Sequence, residues 1–417
     1  MEYRLGILLL LILSLLATMG CKDGRRLIED IDPQESIEHI PEEEEGKLNT
    51  DHIQEKIKGM NLKEKIGQLI ISGFDGRAMN EEIIEYIRDY NIGGLILFSR
   101  NIEDPEQTID LLSQIKAENK NNIPLFLSID EEGGSVSRLP KPFKRLASAS
   151  RIGTVNNPQV SYDFGKLIGQ RVRALGFNMV FGPVLDINSN PKNPVIGDRA
   201  FGASPSLVSE VGIPVMEGVR DSDIISVVKH FPGHGDTEID SHVDLPKSEK
   251  SLEELGAFEL LPFENAILKE VDGIMAAHIL YPQIDHQYPA TMSATILDEL
   301  LRGRLGYGGL IFSDDMTMGA IVKNYGVEEG VLRFLQSGGD VALLCHEKEN
   351  TLKSINRILQ AVENGDLAES EIDKKLHRIL EVKEKYGLNN DPIKREGLEE
   401  IFSLTDSFID ELNSKVR

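Results

Sequence analysis

Residues 230–242 (HFPGHGDTEIDSH) hold three of the nine histidines of the chain, together with Asp236 and Asp240. Imidazole titrates near neutrality, so it can hold a proton and surrender it, and a neighbouring carboxylate fixes its orientation. Two glycines and a proline deny the stretch a regular helix. Asp240 and His242 stand two residues apart. On a loop that spacing permits a contact, whereas on a helix the two side chains would point apart. The same residue types are good zinc ligands, although no HExxH or similar fixed helical pair is present, so a metal site and proton transfer both stand as readings of the loop itself.

The loop must hang from something. It follows the apolar run Ile224-Ile225-Ser226-Val227-Val228, which ends in Lys229-His230. Seven other short apolar runs have the same form, over 68–72, 93–98, 124–130, 178–186, 273–278, 309–314 and 340–345. Segments with helical periodicity separate them. Eight strands alternating with helices predict an α/β fold, a closed (β/α)8 barrel of the TIM type. In such a barrel the active site lies at the C-terminal ends of the strands. Five runs end in titratable groups: Asp130, Asp186, Lys229-His230, His278 and Asp314. A single Asp after a strand is often only the N-cap of the next helix. Asp186 is the weakest of the five, because the Ile-Asn-Ser-Asn-Pro that follows it explains it as Asx-turn chemistry.

Flanking segments read differently. After a weakly positive start at Arg4, Leu5 to Leu16 form an apolar core, and Ala17-Thr18-Met19-Gly20 precede Cys21. This is shorter than the roughly 20 residues a membrane span needs, and it predicts an export signal over 1–20. Residues 29–46 carry nine acidic groups and no Lys or Arg, so 21–50 is expected to be a solvated tether. The barrel occupies 51–388. Within it, 350–365 and 367–387 have helical periodicity, and 389–417 is an amphipathic tail expected to pack on the barrel as a C-terminal helical extension. The formal charge of −24 argues against nucleic acid as a partner. Cys21 and Cys345 are the only cysteines, too few for a disulfide framework.

Residues 229–246, KHFPGHGDTEIDSHVDLP, closely resemble the signature of bacterial β-N-acetylglucosaminidases of glycoside hydrolase family 3. The resemblance extends to DEEGGSVSR over 130–138, GDRAFG over 197–202, MAAHILYP over 275–282 and FSDDMTM over 312–318, and covers about 53–388. It implies Asp314 as the nucleophile and His242 as the general acid/base, oriented by Asp240. Asp130, Arg138, Arg199, Lys229 and His230 match substrate contacts around a terminal N-acetylglucosamine, with His278 and Met316 lining the same pocket. No metal or cofactor is implied. Neighbouring strand residues face opposite ways, so Asp315 is expected to cap the following helix. Cys21 resembles the lipidated cysteine of a bacterial lipoprotein, although Thr18 departs from that pattern. This implies export, a membrane anchor and cell-wall fragments or muropeptides as substrates.

Two other functions are compatible with these residues. Lys229, Arg138 and Arg199 add positive charge that could admit phosphate in place of water, giving a phosphorylase. A tethered sugar-binding lipoprotein without turnover is the other, but binding alone needs no nucleophile. The Gly- and Pro-rich segment 231–235 further predicts a loop that closes over bound sugar and only then delivers His242.

Overall fold

The computed structural model describes residues 52–395 and 397–415. Cys21, the export signal and the acidic segment lie outside the described residues.

Eight parallel strands close a barrel in sequence order. They are β1 (Ile70–Ser72), β2 (Gly94–Leu97), β3 (Phe126–Ile129), β4 (Met179–Val180), β5 (Ile225–Phe231), β6 (Gly273–Ala276), β7 (Leu310–Asp315) and β8 (Val341–Leu344). Nearly every strand residue is buried, as expected where side chains fill the lumen on one face and meet helices on the other. β4 is short because Pro183 cannot donate to a ladder. Its course is carried on by the N–H of Leu185 donating to the carbonyl of Lys229 on β5 at 2.7 Å.

Helices start where their sequences supply caps. Asp104, Asn157 and Ser204 each accept a backbone N–H of the first turn, with a proline directly after them at the helix start. That pairing satisfies an orphan donor and presets the backbone angle. Just before the starts of β1 and β2, buried Lys383 donates to Gln68 Oε1 at 2.8 Å and the Gly93 carbonyl at 2.9 Å. Burial pushes its ammonium pKa well down.

The tail forms a helix over Leu398–Lys415. Phe402 meets Phe143 edge-on at 5.0 Å, Phe408 lies 6.0 Å from Phe164, and Lys144 pairs with Asp406 at 2.7 Å. Phe143 and Lys144 belong to the long segment after β3 that also carries Asp130 and Arg138, so the tail buttresses a wall of the barrel mouth.

Candidate active site

A cavity of about 820 Å³, counting its open mouth, lies over the C-terminal ends of the strands. Asp130, Arg138, Arg199, Lys229, His230, His242 and Asp314 all line it. Asp240 reaches it through the ring of His242.

At one wall, cations and carboxylates interlock. Lys229 Nζ donates to Asp130 Oδ1 at 2.8 Å and pairs with Glu132 Oε1 at 2.7 Å. Arg199 grips Glu132 with two hydrogen bonds, each 2.8 Å. Burial would raise the Glu132 carboxyl, but Lys229 and Arg199 together hold it far below its usual range. These charge-assisted contacts, bidentate between Arg199 and Glu132, fix side-chain directions more firmly than neutral ones. Arg138 is free by comparison: its backbone N–H donates to Glu131, while its buried Nε has no protein partner.

On the floor, Asp314 sits at the end of β7. Burial acts to raise its pKa, yet the His230 and His278 rings and the N–H of Asp315 bring it down to about 2. The carboxylate is therefore held ionised at neutral pH. Asp186, wholly buried, accepts His230 Nδ1 at 2.6 Å and the His234 backbone N–H at 2.6 Å. Its pKa stays low because the two histidines outweigh its burial. An ionised carboxylate only accepts, so Nδ1 of His230 carries the proton and the other edge of the ring faces the cavity.

His242 stands on the loop after β5, its side chain 66% exposed. Asp240 Oδ1 accepts both the backbone N–H of His242 at 2.9 Å and its ring Nδ1 at 2.8 Å. The loop is held at its root and at its tip. Gly235 is pressed so closely on Ile187 that a Cβ would come within 1.7 Å of that carbonyl. The carbonyls of Ser241 and His242 accept the N–H groups of Ala320 and Gly319, just beyond β7.

Three expectations need correction. Met316 does not line the cavity: it is fully buried, against Gly330, and Met318 faces the cavity in its place. His278 is also fully buried and absent from the lining, its ring held between Thr291 Oγ1 and the Asp315 carbonyl. Asp315 does not cap the next helix, whose N-cap is Met318. It accepts the N–H groups of Thr317 and Cys345 and lines the cavity beside Asp314. A register shift between Phe312 and Asp315 against β8 breaks the alternation on which the expectation rested.

Glu132, Asp186 and His234 were not given site roles by sequence reasoning. The EEGG motif contained the signal for Glu132: two adjacent carboxylates at the end of a buried strand require buried cations.

A mouth that offers an ionised carboxylate, a proton carrier and a fixed set of polar contacts suits a polyhydroxylated substrate with one reactive carbon. The class so defined is that of glycoside hydrolases built on a barrel. Within it, the chain belongs to glycosyl hydrolase family 3, whose N-terminal domain model matches residues 61–382. A β-hexosaminidase of Idiomarina loihiensis is 36% identical over 276 residues, 65% of this chain and 82% of that protein. β-Hexosaminidase A of Pseudoalteromonas piscicida is 32% identical over 329 residues, 73% of this chain, which spans only 55% of that longer relative. A family 3 β-N-acetylglucosaminidase from Paenibacillus sp. str. FPU-7 has a TM-score of 0.81 and 36% identity, covering 84% of this chain and 68% of that one.

Proposed function

We propose that the protein is an exo-acting, retaining β-N-acetylglucosaminidase that removes terminal non-reducing N-acetylglucosamine. The observation that carries this is the ionised Asp314 on the cavity floor beneath a loop whose His242 is paired with Asp240 at 2.8 Å. In the first step protonated His242 gives its proton to the glycosidic oxygen as the C1–O bond breaks and an Asp314–C1 bond forms. In the second, water attacks C1, its proton passes to His242, and the Asp314–C1 bond breaks. Two inversions give net retention. Asp240 orients the ring throughout, as a carboxylate does in other acid/base pairs. Asp130, Lys229, Glu132 and Arg199 form a rigid wall for sugar hydroxyls, with Arg138 and His230 adding donors.

Hydrolysis is favoured over phosphorolysis by the pairing of the cations. Lys229 and Arg199 are neutralised by Asp130 and Glu132, which leaves Arg138 as the one lining Lys or Arg without an acidic partner among the described residues. Export, a lipid anchor at Cys21 and muropeptide substrates complete the reading, supported by the N-terminal sequence.

The test compares 4-nitrophenyl N-acetylglucosaminide with the plain glucoside, with Asp314→Asn as control. Preferential release from the acetamido sugar, lost in the variant, is expected. Equal rates on both sugars, or ordinary turnover by Asp314→Asn, would overturn it. Running the assay with and without phosphate distinguishes N-acetylglucosamine from its 1-phosphate as product.

A further inference from the structure

His234 has no part in the chemistry above, yet it is only 1% exposed and lines the cavity. Every polar atom it carries is engaged. Its N–H donates to Asp186, and its carbonyl accepts Asn193 Nδ2 at 2.8 Å. Its ring Nδ1 meets Thr237 Oγ1 at 2.8 Å, and Nε2 meets Ser241 Oγ at 3.2 Å. The ring also stands edge-on to His230, with centroids 5.7 Å apart. One end of this residue is thus tied to the floor of the site. The other is tied to Ser241, the residue before His242.

We propose that His234 is a positioning residue for the acid/base, a rigid strut that sets where His242 stands above the bond to be cleaved. The inference rests on the reading of His242 as that acid/base. The ring suits the task because it is planar and has a hydrogen-bonding nitrogen on each of two edges. Hydroxyls at both ends can serve as donor or acceptor to match whichever tautomer is present. His234 is pulled down to about 4, by burial first and by His230 next, so the strut is neutral at working pH and adds no charge beside Asp314. Ser241 is itself 1% exposed, and its carbonyl accepts the Ala320 N–H at 3.1 Å. Removing the strut frees the one end of this bridge that refers His242 to the sugar-binding floor.

A loss of general stability would lower the rate on every substrate alike. Misplacement of a proton donor does not, because a leaving group that departs unprotonated has no need of it. The experiment measures kcat/KM, which reports bond cleavage, on 2,4-dinitrophenyl and 4-methoxyphenyl N-acetylglucosaminides. His234→Phe keeps the ring volume without its nitrogens. Ser241→Ala deletes only the hydroxyl and keeps the test available where the first variant fails to fold. The fall on the methoxyphenyl substrate is expected to exceed that on the dinitrophenyl substrate by about tenfold or more, part of the full general-acid effect of roughly 100- to 10,000-fold. Equal falls on both substrates, or none in Ser241→Ala, would overturn the strut. His242→Ala run alongside separates the two ideas: if it too shows no dependence on the leaving group, the acid/base reading has failed rather than the strut.

Discussion

Two His–Asp pairs end within a dozen residues of each other, and they live in opposite environments. His230 and Asp186 meet at 2.6 Å with side chains 7% and 0% exposed. His242 and Asp240 meet at 2.8 Å with side chains 66% and 37% exposed. In the first, the charge on Asp186 is tolerated because His230 and His234 supply donors to it, and the low dielectric strengthens every one of those bonds. Its ring cannot turn without leaving a buried group unpaired. In the second, water screens the pair, so the contact itself contributes little to stability. On the proposed function, one chemistry is used twice: a dry pair to hold and a wet pair to move a proton.

Breaking each pair separates these roles. His242→Ala should lower kcat/KM on an unactivated aglycone by roughly 100- to 10,000-fold while leaving the urea midpoint nearly unchanged, because an exposed ion pair is worth little. Asp186→Ala should cost about 3–5 kcal/mol of stability, the usual loss when a buried pair is deprived of one partner, and should reduce activity with it. Urea titrations of both variants provide the check. A large midpoint shift in His242→Ala, or none in Asp186→Ala, would erase the distinction.

Acid provides a smaller contrast. His234, braced in the dry region, titrates at about 4 in the folded protein against 6.5 for an ordinary histidine, chiefly through burial. Between those values the unfolded chain binds a proton that the folded one does not, so stability rises with pH across the window. The contribution is complete above pH 6.5 and is lost as pH falls toward 4, a change of about 3 kcal/mol. His234→Gln removes the titration and should flatten the urea-midpoint profile over that range. An unchanged slope would mean that the ring takes up its proton in place, as a wet histidine does.

The sequence makes the barrel legible because strands buried on both faces leave uninterrupted apolar runs, and each predicted run contains its strand almost whole. The C-terminal ends of those runs then point to Asp130, Lys229, His230 and Asp314. Pairing across the barrel is much less legible. Glu132 and Arg199 are 67 residues apart, and nothing local to either marks the bond. Asp186 reads as turn chemistry because its partner, His230, lies on the next strand. Asp315 was assigned its face by simple alternation, which the register shift beside β8 breaks, whereas Met316 was placed in the pocket by resemblance alone. Periodicity encodes which residues are buried. Register decides what they meet.

The last contrast concerns how the wet pair is kept in place without being buried. Gly319 lies just beyond β7, and a Cβ built on it would lie 2.6 Å from the His242 carbonyl and 2.8 Å from that of Val243. Both atoms are backbone, so neither can swing aside. Gly319→Ala must push the loop tip outward while leaving Asp186, His230 and the sugar-binding wall untouched. A displacement near 1 Å at a catalytic group can cost up to about 100-fold in rate. Because the tip is exposed and can yield, about tenfold is expected here, in kcat/KM on a poor leaving group and with KM for the sugar little changed. A matching rise in KM would mean that the loop tip helps to bind the sugar as well as to deliver the proton, and the division between a dry holding pair and a wet moving pair would be less sharp than their exposures imply.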